Sequence, residues 1–285
     1  METGDSHIGS NQFIKDPSLD QNRIKQSHAV LNLRGNGLGI LVLDHHQKKV
    51  LALGDYHSAT PLENEGIITF AENTLHSLGL KLEECLSVSW IFSGSRASLL
   101  PQEFFTPEKA GKVLELTCRL MPDEVVHHDI WNKHQVASVY PVPRVLEEWL
   151  QNFEERKLIH SSTALQGLAQ LYKYDEVFAL LIVEEGYAEL YLSVNGRPVF
   201  YNQFPYAVEE DLLYYLLFAL EQNRILAPEI DLKIAGKSPK GKKLDMLLSE
   251  YIGSVAPLAI PDAMQLSPGL TEEQLRSLIL LTGVI

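Results

Sequence analysis

Apolar and polar positions alternate along this chain in blocks that read as strands, strands and a helix, and then the same series again. Ala29–Leu33, Leu38–Leu43 and Lys49–Leu53 are short β-rich runs. The polar turns Arg34-Gly35-Asn36-Gly37 and His45-His46-Gln47-Lys48 separate them, which predicts antiparallel hairpins. Ile67, Phe70, Ala71, Thr74, Leu75 and Leu78 recur at helical spacing and predict a helix over 64–78, with Gly79 placed to end it. Leu86–Phe92 is a nearly unbroken apolar run suited to a buried strand.

The second series starts at Val177. Val177–Val183, Tyr187–Val194 and Pro198–Gln203 read as strands, with Asn195-Gly196 as a strong two-residue hairpin signal. A helix follows over 208–221 and an apolar strand over Ile230–Ala235. The order strand, strand, strand, helix, strand repeats at an offset of roughly 145 to 149 residues, the mark of an internal duplication. The expected organisation is a polar, loose N-terminal tail over 1–27, a first lobe over 28–174 and a second over 175–285. The intervening stretch adds helices over 107–120, 143–153 and 161–171, the last with a serine cap, and a strand over 136–140. Past 237 come a helix over 243–252, a strand over 254–258 and a final helix over 271–281, opened by the capping box Thr271-Glu272-Glu273-Gln274.

Composition narrows the function classes. With 45% hydrophobic residues over 285 positions there is enough material for two cores. The formal net charge of −13 argues against nucleic-acid binding, and the one basic run, Lys237 with Lys240, Lys242 and Lys243, reads as a solvated loop and helix start. No run reaches the roughly 18 apolar residues of a membrane helix. Cys85 and Cys118 fit no zinc spacing and form no disulfide framework, which points to a reducing, cytoplasmic setting.

Two lobes of three antiparallel strands, a helix and further βα elements resemble the actin-like ATPase superfamily, of the ribonuclease H-like fold. The chain is also similar to the bacterial domain-of-unknown-function family 3822. The residues that carry this likeness are Val50-Leu51-Ala52-Leu53, Ser98-Leu99-Leu100-Pro101 with Phe104-Phe105, Val139-Tyr140-Pro141-Val142-Pro143 and Ile159-His160-Ser161. The resemblance implies an α/β fold of two lobes, each with a mixed five-stranded sheet flanked by helices. Active members of the superfamily carry an acid and a glycine at the first hairpin of each lobe, to hold Mg²⁺ and approach the phosphates of ATP.

Here the first hairpin offers Asn32-Leu33-Arg34-Gly35, with no carboxylate. The second offers Val183-Glu184-Glu185-Gly186, where Glu184 could imitate the acid or stand in a solvated turn. The adenosine side carries Gly236-Lys237-Ser238 in place of paired glycines. If nucleotide binds, Glu184, Gly186, Gly236 and Lys237 would hold it.

Other motifs carry less. Gly236-Lys237-Ser238 has Asp231 where a P-loop needs glycine, and Pro239 follows. Gly35, Gly37 and Gly39 precede a strand and not the helix of a dinucleotide fingerprint, so they read as a flexible hairpin. The pairs His45-His46 and His127-His128 place neighbours on opposite faces of a strand, which suits no metal centre. Two functions remain: a non-catalytic scaffold that docks a protein partner beside a degraded nucleotide site, or a divergent ATP-binding or phosphotransfer enzyme that works in the cleft between the lobes.

Overall fold

The computed structural model describes residues 11–153, 156–174, 176–237 and 243–284. Strand β1 (Gln12–Lys15) and helix α1 (Gln21–Ile24) lead into the hairpin strands β2 (Ser27–Arg34), β3 (Gly37–Asp44) and β4 (Lys49–His57). Helix α2 (Asn64–Leu78) buries Ile67, Ala71, Thr74 and Leu75, and stops where Gly79 turns left-handed at φ 60°. Strand β5 (Ser87–Ser93) then enters the sheet parallel to β2.

A three-stranded sheet is inserted next. It is made of β6 (Ser98–Pro101), β7 (Glu124–Trp131) and β8 (Val136–Pro143), with β8 in the middle and α3 (Ala110–Leu114) packed on it. Helix α4 (Arg144–Leu150), strand β9 (Arg156–His160) and helix α5 (Ser161–Ala169) complete the first half. The second half contains β10 (Val177–Glu184), β11 (Tyr187–Val194), β12 (Arg197–Pro205), α6 (Glu209–Gln222), β13 (Asp231–Gly236), α7 (Lys243–Ser249) and β14 (Ser254–Pro257). The chain ends with β15 (Gln265–Leu266), α8 (Glu272–Ser277) and a 3₁₀ turn over Ile279–Val284.

The two large sheets share one plan. The first runs β4-β3-β2-β5-β9 and the second β12-β11-β10-β13-β14. In each, the first three strands are antiparallel and the last two join parallel. Both carry a register shift at the same place, between Val42 and Leu43 in one and between Leu192 and Ser193 in the other. The Asn195-Gly196 hairpin has φ of 50° and 75°, as a type I′ turn requires.

Several expectations need correction. The first sheet has seven strands, not five, because β1 and β15 both pair with β4. Residues 11–27 are therefore no loose tail: β1 is hydrogen-bonded into the sheet and α1 is capped by Asp20; residues 1–10 lie outside the described residues. The C-terminal segment, expected in the second lobe, returns to the first. β15 joins β4, and the 3₁₀ turn packs on α5, β2 and β3. The helix expected over 107–120 is a 3₁₀ turn followed by the short α3, and β7 was unforeseen. The cap of α5 is His160, whose ring accepts the Ser162 N–H, and not a serine.

One core joins the two sheets. Val30, Leu41, Leu53 and Ile91 from the first meet Leu180, Ile182, Tyr191 and Tyr201 from the second, with Leu165, Leu168, Leu278 and Leu281 between them. Burying such side chains stabilises by roughly 1.5–3 kcal/mol each, so the lobes are held as one body at this layer.

Candidate functional site

The first hairpins of the two sheets meet across that layer. Arg34 ends β2 and Glu184 ends β10, at equivalent positions in register with Gly37 and Tyr187. The face carrying Arg34 has glycine at the neighbouring positions of β3. Gly37 lies opposite Arg34 and His57, and Gly39 opposite Asn32 and Asp55. With no side chain on β3 in the way, Arg34 reaches across to β4 and its Nη2 donates to Asp55 Oδ1 at 2.5 Å. Its Nη1 donates to Glu184 Oε2 at 3.4 Å. Gly37 and Gly39 thus leave the strip of β3 between Arg34 and Asp55 without side chains, which adds to the reading of the glycine series as a flexible hairpin, while Gly35 lies in the turn.

Lys237 closes the cluster from the second sheet. It follows Gly236, whose φ is 86°, and a Cβ there would lie 2.2 Å from the Val183 carbonyl oxygen. That close approach lets Lys237 N–H donate to Val183 O at 2.6 Å and turns its side chain toward the first lobe. Lys237 Nζ lies 2.5 Å from Asp55 Oδ2 and in close contact with His57 Nε2, which is itself 3.1 Å from Asp55 Oδ1. Arg34 and Asp55 are 1% and 0% exposed, and Glu184 only 6%.

Burial works against every charge here, and the partners decide the outcome. For Asp55 burial would raise the pKa, but Arg34, His57 and Lys237 together hold it well below the usual carboxylate range. For Glu184 burial dominates; with Asp55 nearby it pushes the carboxyl up to about 7 against the pull of Arg34 and Lys237. Burial disfavours the Arg34 charge as well, yet Asp55 and Glu184 keep it firmly protonated. Arg34 Nε has no hydrogen-bond partner among the described residues.

A second buried layer lies beside the first. Tyr201 O–H donates to Glu189 Oε2 at 3.0 Å, and Ser161 Oγ lies 2.8 Å from the same tyrosine oxygen. Burial raises Glu189 to about 7, although the Ser161 and Tyr201 hydrogen bonds oppose it. His160 donates from Nε2 to Gly94 O at 3.0 Å and accepts the Ser162 N–H at Nδ1; burial lowers its pKa to about 4. A cleft of about 510 Å³ opens above, lined among others by Asn36, Ser95, Pro141, Gly186, Gln203 and Pro205.

Of the four residues expected at a nucleotide site, Glu184 and Lys237 join one cluster, Glu184 through Arg34 and Lys237 through Asp55. Gly236 supplies the turn that brings Lys237 in. Gly186 sits at the hairpin tip, at φ 81° with open space beside it, and lines the cleft. Glu184 is buried, which corrects its reading as part of a solvated turn. Asp55 and His57 were missed. Their signal was present in Gly54-Asp55-Tyr56-His57, where polar residues two apart continue an apolar strand and so share one face. Ser238, Pro239, Lys240 and Lys242 of the basic run lie outside the described residues. Among the described residues no group of three His, Cys, Asp or Glu side chains is placed to hold a metal ion. The two carboxylates that a nucleotide's Mg²⁺ would need are already bound to Arg34, so the side chains as placed do not fit a metal–nucleotide complex.

Comparison with known proteins bears on family and fold. The family described as protein of unknown function (DUF3822) matches residues 16–255, and the chain belongs to it. No curated protein matches. Among solved structures, a Bacteroides thetaiotaomicron protein with actin-like ATPase fold and unknown function is 17% identical, with a TM-score of 0.71 over 84% of this chain and 93% of that one. The PilM–PilN type IV pilus biogenesis complex gives 15% identity and a TM-score of 0.61 over 92% and 97%. The cytoplasmic domain of EpsL, an inner membrane component of the type II secretion system of Vibrio cholerae, gives 14% and 0.50 over 90% and 93%. The fold is that of the actin-like ATPases.

Proposed function

We propose that this member of the DUF3822 family is a non-catalytic, cytoplasmic protein-interaction module, built from a duplicated actin-like lobe whose nucleotide site has been replaced by an interlobe ion cluster. The observation that carries this is Arg34. It stands at the first-lobe hairpin end, is fully buried, and is bound by Asp55 and Glu184. Phosphoryl transfer needs charge neutralisation by a metal and a group that orients the nucleophile. A cation locked between Asp55 and Glu184 occupies the carboxylates such a metal would use.

The duplication is supported by the matched strand order, directions and register shifts of the two sheets. The partner-docking reading is supported by solved relatives that work in assemblies, the PilM–PilN complex and EpsL of a secretion system. No helix among the described residues is long and apolar enough to cross a membrane.

The test is a thermal-shift series with ATP and ADP, with and without Mg²⁺, beside a phosphate-release assay. A ligand at 100 times its Kd adds about 2.7 kcal/mol of stability. The expected result is no shift and no turnover. Turnover that disappears in Glu184→Ala while the fold survives would overturn the proposal in favour of a divergent phosphotransfer enzyme using Glu184 and Lys237.

A further inference from the structure

The two sheets treat the outer edge of their third strand differently. In the first lobe β1 lies antiparallel against β4: Asp16 N–H donates to Leu51 O at 2.7 Å, Ile14 stands opposite Leu53, and Asn11 N–H donates to Asp55 O at 3.1 Å. In the second lobe β12 pairs with β11 and with no other strand among the described residues.

The hairpins fix which backbone groups of β12 face outward. Glu184 and Tyr187 close one two-residue turn, and Val194 and Arg197 close the other. Hydrogen-bonded pairs alternate in an antiparallel ladder. Ala188, Leu190 and Leu192 therefore bond to Phe204, Asn202 and Phe200, and the backbone of Tyr201 and Gln203 points away from β11. The shared register shift makes these the counterparts of Leu53 and Asp55, the residues that β1 covers. The Gln203 N–H is meanwhile held by Asn202 Oδ1 at 2.9 Å, a contact that an incoming carbonyl would replace.

We infer that the outer edge of β12 over Phe200–Pro205 is a strand-addition site for an extended, basic segment of a partner protein, running antiparallel to β12 with its N-terminal end at the cleft. This rests on the partner-docking reading above. The chain supplies its own template for strand addition on the equivalent edge, the strand Gln12-Phe13-Ile14-Lys15, with an apolar pair at its centre. Charge sets the polarity. The cleft end of β12 meets exposed Glu185 at the neighbouring hairpin tip and Glu209, Glu210 and Asp211 at the start of α6, where Lys243 offsets part of the charge. The other end begins at exposed Arg197. A series of rings, Phe204 stacked on Tyr215 at 4.5 Å, Tyr214 edge-on to Tyr215 and Phe218 stacked on Tyr214, extends from β12 onto α6 and offers apolar side chains of the added strand a surface. Pro205 has no N–H and needs no partner at the end of the site.

Two short synthetic peptides test this, Lys-Lys-Val-Thr-Val-Thr-Val-Glu-Glu and its charge-reversed twin Glu-Glu-Val-Thr-Val-Thr-Val-Lys-Lys, with fluorescence anisotropy and residue-resolved hydrogen exchange on the full chain. The basic-first peptide is expected to bind about tenfold more tightly, to slow exchange at Tyr201, and to lose that advantage in Glu185→Lys. Gln203→Pro removes an outward donor without touching the ladder to β11 and should weaken binding too. Binding of neither peptide, or equal binding of both, overturns the site. So does Tyr201 exchange in the free protein as slow as that of Leu53, because β6 comes alongside β12 without a ladder between them and would then be the strand's cover. ATP turnover would remove the interaction-module reading and leave the peptide result legible; silent peptides with silent nucleotide assays would remove the edge site alone.

Discussion

Lobe one and lobe two place opposite chemistry at matching points. Where β2 ends in Arg34, β10 ends in Glu184. Where β3 carries Gly37 and Gly39, β11 carries Tyr187 and Glu189. Asp55 of β4 answers to Gln203 of β12. One lobe is hollowed so that a long cation can lie across it, and the other is filled with large and acidic side chains. The two therefore fit face to face as unlike halves, which two identical lobes with like charges could not do. The two sheets share one strand order, and the residues that differ at a few positions on one face make the contact between them a charged seam.

The strongest way to break that comparison is to remove the cation. Arg34→Met leaves Asp55 buried with only the partly exposed Lys237 and His57 beside it. Breaking a buried pair from one side costs about 3–5 kcal/mol, so urea unfolding of Arg34→Met should show a loss of that order. Glu184→Gln should cost about 1 kcal/mol or less, because a carboxyl raised to about 7 is already partly protonated at neutral pH. Equal losses from both variants would mean that the seam depends on the two lobes alike, with Arg34 and Glu184 in equal roles.

Protonation sharpens the comparison next. Glu189 is raised from the ordinary 4.5 to about 7 by burial, so it favours the folded state fully below pH 4.5, and that contribution is lost as pH rises through about 7. His160 is lowered from 6.5 to about 4 and acts the other way: its contribution is present above pH 6.5 and is lost as pH falls through about 4. Glu189→Gln keeps an acceptor for Tyr201 and never ionises. It should match the parent chain at pH 5 and exceed it at pH 8, by an amount on the order of 3 kcal/mol. Chemical denaturation at the two pH values checks this. A variant equally stable relative to the parent at both would show that Glu189 is not the buried acid responsible.

Periodic apolar runs made most of the scaffold readable from sequence. Helix α2 was bounded by its 3.6-residue spacing and Gly79, and the repeated hairpins by their turn residues. Weakly patterned elements were less legible. β7, with His127, His128 and Asp129 at its centre, carries too little apolar alternation to announce a strand. β1 and β15 are short and take their stability from β4, so no local signal marks them. At the site, Glu184, Gly186, Gly236 and Lys237 were singled out as nucleotide ligands through the resemblance to actin-like ATPases, and the structure places Glu184 on Arg34 and Lys237 on Asp55. For Asp55 and His57 the spacing marked only a shared face; that they face Arg34 across Gly37 and Gly39 is a relation of register that spacing does not carry.

The smallest expected effect separates the second hairpins. β11 and β12 are joined by the two-residue turn Asn195-Gly196, and β3 and β4 by the longer loop 45–48. Asp44 Oδ1 organises that loop by accepting the His46 and Gln47 N–H groups at 3.0 and 2.9 Å, and the loop then needs Lys48 at φ 49°. Left-handed backbone costs a residue with a Cβ roughly 1–2 kcal/mol, less for asparagine, and nothing steric for glycine. Lys48→Gly relieves that strain but adds freedom to the unfolded chain, so it should stabilise by no more than about 1 kcal/mol. Asn195→Ala introduces the strain where asparagine had avoided it and should destabilise by about 1 kcal/mol. Each change should move Tm by about 2 °C, in opposite directions. The pair is informative because both residues share a backbone conformation and differ in what the sequence provided for it. If Lys48→Gly lowered Tm, the lysine's aliphatic stem would be supplying packing worth more than the strain, and the first-lobe loop would be shaped by contacts and not by its own dihedrals.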